Sequence, residues 1–537
     1  MKLRNNNLKK LGERTFDVLI MGGGINGATA AAALAARGIS VALVEKKDFA
    51  SFTSQESSNL IWGGIKYLET GEARLVRKLC MSRNHLRRSY PSTIKEIRFF
   101  TSLARDFRWP PVFLYLGSWI YWLIGNGFTK PPKLLTKLRI QKKAPVVNTD
   151  NLKGGIEYSD CYLVDNDARF VFNFIRTALD HGAICTNYVR VKKSTREEDG
   201  TWQTVVEDGL SQKEFSIKSR AFINASGPYV DANNAHFKVE TLHRHVFSKG
   251  IHLVVKALTG QKKVLTFFAD DGRLFFVIPM GPRSCIGTTD TKVEKLPAKV
   301  TDEDRRFVLD NINKRLNLKE PLEIKDIIAE RCGVRPLVVT KKSGEDGGKD
   351  WTSLSRKHEI EADLAATYMS IFGGKLTDCL NIGDEVTKIV KEMGILPLYP
   401  KAPWYGEPAK EVAERFYHQA RLMKLDELTS SESSEALSSR LWRRYGRAAF
   451  ELLEDIREDP DMAKVLIEGA EYIRCELHQA AHREMITKLE DFLRRRSKIA
   501  LITPKAQLKK APGLMEACEI LFGKEAQDKF SEYFEEA

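Results

Sequence analysis

The sequence predicts an α/β protein: a parallel βαβ unit at its start, a further and mostly antiparallel sheet, and a C-terminal part built of helices. Three observations carry this. An apolar run of strand length, FDVLIM at 16–21, leads through a glycine-rich turn into the helix-forming ATAAAALAAR and then a second apolar run, GISVALVE at 38–45. That is the order of a buried parallel pair joined by a helical crossover. Between 183 and 290, the runs AICTNYVRV, TWQTVVED, FSIKSRAFINASG, HLVVKA, RLFFVIP and SCIGTTD mix apolar and polar residues in alternation, which predicts the additional sheet. Proline then clusters in GILPLYPKAPWYGEP at 394–408, and beyond it AERFYHQARLMKL, LSSRLWRRYGRAAFELLEDI and HREMITKLEDFLRRR keep helical periodicity. A boundary is therefore placed near residue 400, with two interleaved units in 1–398 and a helical domain in 399–537.

At 537 residues with 43% apolar content, the chain can fill a large core. Its formal charge of +14 points to an anionic partner without choosing among nucleic acid, lipid surface and phosphorylated substrate. No nucleic-acid module is recognisable, so nucleic acid is not expected. Eight cysteines stand singly with no C-x-x-C pair, which favours a reducing compartment over a disulfide framework or zinc cradle. His478 and His482 lie one helical turn apart but lack the glutamate of a zincin motif, and no metal site is expected. The basic N-terminus has no apolar run of signal type behind it.

The segment 109–143 is unusual. WPPVFLYLGSWIYWLIGNGFT carries no charge and is rich in aromatics, and the KPPKLLTKLRIQKK that follows has six basic residues and no acid. Its apolar part is shorter than the ~20 residues that span a bilayer. Two readings remain: an interfacial contact with anionic lipid, or a buried core helix with a solvated basic flank.

Gly22-x-Gly24-x-x-Gly27 lies between the first strand and the first crossover helix, the Rossmann-like arrangement for a dinucleotide. Gly22 permits the turn, Gly24 lets the backbone approach a pyrophosphate, and Gly27 lets helix and strand pack closely. Glu45, ending the second strand, can accept hydrogen bonds from ribose hydroxyls and disfavours a 2′-phosphate. FAD or NAD is thus preferred over NADP. FTSQESSNLIWGGIKYLE follows, with hydroxyls at Thr53, Ser54, Ser57 and Ser58 suited to further phosphate contacts. Gly63 and Gly64 expose backbone that could run along a flavin ring, with Lys66 and Tyr67 facing what lies beyond it.

These motifs, followed in order by IEYSDC, NDAR, NASGPYV, KGIHLVV, FVIP, IGTTD, CGVRPL and FGGKLTD, resemble the FAD-dependent glycerol-3-phosphate dehydrogenases over about residues 16–385, with a helical domain of suitable length after them. The resemblance implies a D-amino-acid-oxidase-like fold, hydride transfer from sn-glycerol 3-phosphate to FAD to give dihydroxyacetone phosphate, and electron delivery to quinone by a peripheral protein on the cytoplasmic side of a membrane. It implies cofactor contacts at Gly22, Gly24, Gly27, Glu45, Thr53, Ser54, Ser58, Gly63, Gly64, Val189, Ser226 and Gly227. It adds Gly373, Gly374 and Leu376 in the loop that opens a helix beneath the flavin. Substrate contacts correspond to Lys66, Tyr67, Arg356, Arg335, Lys375 and His252, with His252 as proton acceptor helped by Arg335 or Lys375. A homodimer is compatible with the sequence.

The chain departs from the family pattern at Asn59, usually lysine, at Trp62, usually histidine, and at Lys66, usually arginine. Lysine cannot form a bidentate fork on phosphate, and Trp62 cannot carry a histidyl flavin link. Three rivals therefore stand beside the main expectation: an oxidase of the same substrate, an enzyme for another small phosphorylated or carboxylated 2-hydroxy compound, and a non-catalytic flavoprotein.

Overall fold

The structure is a computed structural model and describes residues 2–269, 271–341, 357–431 and 433–535. Among these residues the strands form two sheets, of eight and ten strands. In the first, Thr15–Met21 lies between Glu214–Asn224 and Val41–Val44, both parallel to it, and Ile184–Thr186 and Tyr368–Phe372 extend the parallel set on either side. Every residue of Val41–Val44 is buried, as expected for a parallel strand covered on both faces. The crossover helix Ile25–Ala36 is also buried from Asn26 to Ala36. Its run of alanines lets it pack closely between the helices Asp167–Asp180 and Cys379–Glu392.

Three runs assigned from sequence to the additional sheet belong instead to the first. Ile184–Thr186 and Glu214–Asn224 are parallel members, and Val189–Arg196 with Trp202–Asp208 forms a hairpin on the N-terminal half of Glu214–Asn224. The physical reason lies in Glu214–Asn224 itself. Its first half alternates in burial and pairs antiparallel, while its last four residues are all buried and pair with Val18–Met21.

The second sheet is mostly antiparallel. It is centred on the long strand His243–Lys256, which pairs with Ala329–Thr340 and with Arg283–Gly287. The sheet continues through Leu274–Met280, Lys263–Phe268, Ile94–Ala104 and Leu152–Leu163, with one parallel pairing, between Lys263–Phe268 and Ile94–Ala104. Several of these strands carry weak strand signals. Leu152–Leu163 contains Gly154 and Gly155, and a Cβ at Gly155 would stand 2.1 Å from the Thr101 carbonyl oxygen. The glycine that obscures the strand is what lets the two backbones meet there.

The apolar segment forms the helix Pro111–Ile124, with only Ser118 and Tyr121 buried. Val112 (55%), Leu116 (56%), Ile120 (55%) and Leu123 (62%) are exposed along one face, and Leu138 (77%) is exposed in the neighbouring basic helix Lys137–Lys143. That exposure rules out the buried-core reading of this segment. No helix among the described residues is long and apolar enough to cross a membrane. Tyr121, on the inner face, donates to Asp160 at 2.8 Å, and Asp160 also pairs with Arg83 and accepts from the Gly63 N–H at 3.2 Å.

Beyond Cys379–Glu392 the elements are helical, from Lys410–Leu422 to Ala526–Glu535. They enclose two apolar clusters of their own. Buried ion pairs join them to the rest: Asp165 with Arg443 and Arg444, each at 2.7 Å, and Glu484 with Arg169 at 2.7 Å. A π-helical turn, Asp491–Arg496, is buried throughout.

Candidate active site

The glycine turn performs the packing its spacing predicts. Gly22 has φ +113°, and a Cβ at Gly27 would lie 1.9 Å from the Gly22 carbonyl oxygen. Helix and strand therefore approach as only glycine allows. A cleft of about 310 Å³ opens over this turn, lined by Gly22, Gly24, Glu45, Thr53, Ser54, Val189, Ser226, Gly227, Gly373 and Gly374. Gly27 supports it from within the helix. Glu45 accepts from the Gly23 N–H at 2.8 Å and the Lys47 N–H at 3.0 Å, and burial still raises its pKa. Ser54 Oγ accepts from the Ile25 N–H at 3.0 Å at the helix N-terminus, and Val189 N–H donates to the Glu45 carbonyl at 2.8 Å.

Pro336 and Gly374, the chain neighbours of Arg335 and Lys375, line the cleft, while Arg335 and Lys375 are not themselves among its lining residues. Lys375 Nζ donates to the Tyr67 hydroxyl at 2.9 Å and lies over its ring. Arg335 lies across Gly250, where a Cβ would come within 1.9 Å of its guanidinium, and donates to Asp290 at 2.8 Å and Thr288 Oγ1 at 3.0 Å. Two residues on, His252 faces the same way along the strand. It is buried, and neither ring nitrogen has a hydrogen-bond partner among the described residues. Burial, then the charges of Arg331 and Arg335, push its pKa down to about 3.

Several expected residues sit elsewhere. Lys66 is exposed on the short turn Ile65–Leu68 that carries Tyr67. Gly63 packs on Tyr121 and Cys80, and Gly64 (φ +80°) on Tyr67; neither lines the cleft. Ser58 is half-buried outside it, and Leu376 packs into the core beside the crossover helix. Arg356 lies outside the described residues. Trp62 donates to the Tyr158 hydroxyl at 3.3 Å. Asn59 is buried, has φ +59°, and donates to the Asp165 carbonyl at 2.9 Å. Beside it stands a buried cation, Arg331, paired with Asp167 at 2.6 Å.

Other groups at the site were not anticipated. Lys46 lies 3.5 Å from the Tyr229 ring centroid and 4.7 Å from that of Phe52, closing the cleft near Glu45, and Arg190 joins its lining. Asn26 donates to the Gly373 carbonyl at 3.0 Å. His245 Nε2 accepts from the Gly373 N–H at 3.0 Å, while Nδ1 meets Asp231 at 2.6 Å. These partners put the proton on Nδ1 and fix the Gly373–Gly374 backbone from both sides. Lys46 could have been suspected from its place after Glu45; for His245 only its position on the strand of His252 gave a sign.

A glycine-rich cleft over the strand–helix turn, with the buried Glu45 carboxylate in its lining, fits FAD and defines the class of an FAD-dependent oxidoreductase. Residues 17–349 match the family model described as FAD dependent oxidoreductase, and 402–529 match the C-terminal domain of alpha-glycerophosphate oxidase. The glycerol-3-phosphate dehydrogenase of Pseudomonas aeruginosa is 31% identical over 513 residues, covering 92% of this chain and 94% of its own. The chain belongs to the FAD-dependent glycerol-3-phosphate dehydrogenase family. The crystal structure of the glycerol-3-phosphate dehydrogenase from Bacillus halodurans complexed with FAD superposes with a TM-score of 0.73 at 24% identity, over 99% of this chain and 96% of that one. The dithionite-reduced L-alpha-glycerophosphate oxidase from Mycoplasma pneumoniae with FAD bound gives 0.53 at 18% identity, over 74% and 97%. Both likenesses are of fold.

Proposed function

We propose that the chain oxidises sn-glycerol 3-phosphate at C2 to dihydroxyacetone phosphate and passes the electrons to a membrane quinone. The observation that carries this is a buried His252, without a hydrogen-bond partner among the described residues, within the field of Arg335, whose chain neighbour Pro336 lines the cleft, as does Gly374 beside Lys375. A guanidinium can grip a phosphate through paired charge-assisted bonds. Arg335 would exchange its present hold on Thr288 and Asp290 for that phosphate, with Lys66 drawing the anion in from the rim. Bound FAD supplies the two-electron acceptor for the C2 hydrogen. Lys375 and Tyr67 orient the C2 hydroxyl, and a ring nitrogen of His252 takes its proton. Arg335 lowers the proton affinity of His252, so neutralising it with a dianionic substrate would raise that affinity when the substrate is in place.

The exposed face of Pro111–Ile124 beside the basic helix Lys137–Lys143 supports a peripheral seat on an anionic bilayer, from which quinone is within reach. Anaerobic addition of glycerol 3-phosphate to the loaded protein is expected to bleach the flavin, whereas glycerol and lactate do not. Reoxidation by a quinone analogue faster than by air would support the dehydrogenase reading. Faster reoxidation by air, with peroxide released, would replace it with an oxidase. Absence of bleaching by glycerol 3-phosphate would overturn the substrate assignment.

A further inference from the structure

We propose that the arginine triplet of the helical domain, Arg494, Arg495 and Arg496, holds segment 48–56 in its cofactor-binding shape, so that docking of this domain and FAD binding strengthen each other. The inference rests on the cleft being the FAD site. The front of the segment, Ala50 to Ser54, lines that cleft. Its back is gripped from the opposite end of the chain. Arg495 Nε donates to Asp48 Oδ2 at 2.7 Å, and Arg496 donates to both carboxylate oxygens of Asp48 at 2.8 and 2.9 Å. Arg494 donates to the Gln55 carbonyl at 2.8 Å and pairs with Glu56 at 3.2 Å, and Arg495 reaches the Gln55 side chain at 3.2 Å. Arginines therefore hold both ends of the stretch whose middle faces the cofactor.

The segment needs such bracing. Ala50 has φ +64°, a left-handed conformation that a side chain disfavours, and its N–H donates to the Gly23 carbonyl at 3.0 Å. Strain of this kind persists only where the surroundings over-determine it. The π-helical winding of Asp491–Arg496 turns three successive arginines inward, a local geometry often found at functional positions. Burial alone would raise the pKa of Asp48, but the charges of Arg496 and Arg495 hold it below the ordinary carboxylate value. The contact is thus ionic on both sides and sealed from solvent. Not every contact of the helical domain is made with this segment: Arg283, in the second sheet, donates to the Ile502 carbonyl at 2.8 Å. By reciprocity, a domain that favours the binding shape of the segment is itself held more tightly once FAD is bound. These arginines are positioning residues.

The test compares the full-length apoprotein with its Arg494→Gln, Arg495→Gln, Arg495→Lys and Arg283→Gln variants in FAD titrations followed by flavin fluorescence. Arg494→Gln and Arg495→Gln are expected to raise the FAD Kd about tenfold or more, with Arg495→Lys in between. Arg283→Gln is expected to lower the melting temperature while leaving the Kd unchanged. In the wild-type chain, FAD is expected to slow amide hydrogen exchange in 487–498 but not in 449–463. Equal Kd values across the variants, an equal loss in Arg283→Gln, or no FAD-dependent protection of 487–498 would each overturn the coupling. A wild-type chain that takes up no FAD would instead overturn the cofactor reading beneath it.

Discussion

Among the described residues neither ring nitrogen of His252 has a hydrogen-bond partner, and burial, reinforced by the charges of Arg331 and Arg335, keeps the ring neutral at physiological pH. Replacing it with asparagine is expected to lower kcat by roughly 10²–10⁴-fold with little change in KM, since proton transfer is lost and phosphate binding is not; steady-state rates check this. Its titration also marks stability. The native pKa lies near 3 against an ordinary 6.5, so the unfolded chain binds the extra proton first as pH falls. The stability it permits is complete above 6.5 and is lost progressively between 6.5 and about 3. Denaturant melts at several pH values should show this slope in the wild-type chain and not in His252→Gln. At Arg335 the geometry of charge matters as well as its sign. Lysine there keeps the charge without the fork, and should raise KM for glycerol 3-phosphate about tenfold or more with a smaller change in kcat.

Gly373, Gly374 and Lys375 are carried by the turn between the strand Tyr368–Phe372 and the helix Cys379–Glu392. One end is fixed by His245 at the Gly373 amide. The other is fixed by His358, whose Nδ1 meets Asp378 at 2.8 Å and whose Nε2 meets Glu385 at 2.9 Å, with Lys78 3.2 Å from Asp378. Burial works against a charged His358, but the bonds to Asp378 and Glu385 outweigh it and raise its pKa above 6.5. A raised base contributes fully below 6.5 and loses its contribution as pH rises through the higher native value. The melting-temperature gap between wild type and His358→Gln should therefore be widest in mild acid and close at alkaline pH. A gap independent of pH would contradict this. The glycine turn and Glu45, which line the cleft, were legible in the sequence because their pattern is one of local spacing, whereas Gly373 and Gly374 were picked out only by the family resemblance. The His245–Gly373 contact and the Arg331–Asp167 pair were not legible, because each joins residues over 100 positions apart and a lone histidine or arginine carries no local signal. The strand Leu152–Leu163 was missed for the reason already given: its paired glycines answer a neighbouring backbone.

Across the whole molecule, the exposed apolar face of Pro111–Ile124 makes the proposed lipid contact testable. Fully burying each of its large side chains contributes about 1.5–3 kcal/mol, so a few of them, aided by the basic flank, suffice for reversible binding. Leu116→Asp with Ile120→Asp should abolish sedimentation with vesicles rich in anionic lipid while leaving turnover with a soluble electron acceptor intact. Retained sedimentation would argue against this face. The sequence left two readings for this helix because an apolar stretch looks alike whether it meets protein or lipid, and only the packing of its neighbours decides. The embrace of Asp48 by Arg495 and Arg496 also spans 447 and 448 positions of the polymer. At ~5–20 residues per second, a ribosome needs many seconds to emit the second half of that clasp after the first. On the coupling proposed above, a nascent chain has until then its glycine turn but not its brace, and products of translation interrupted before residue 494 should hold flavin more weakly than the full chain.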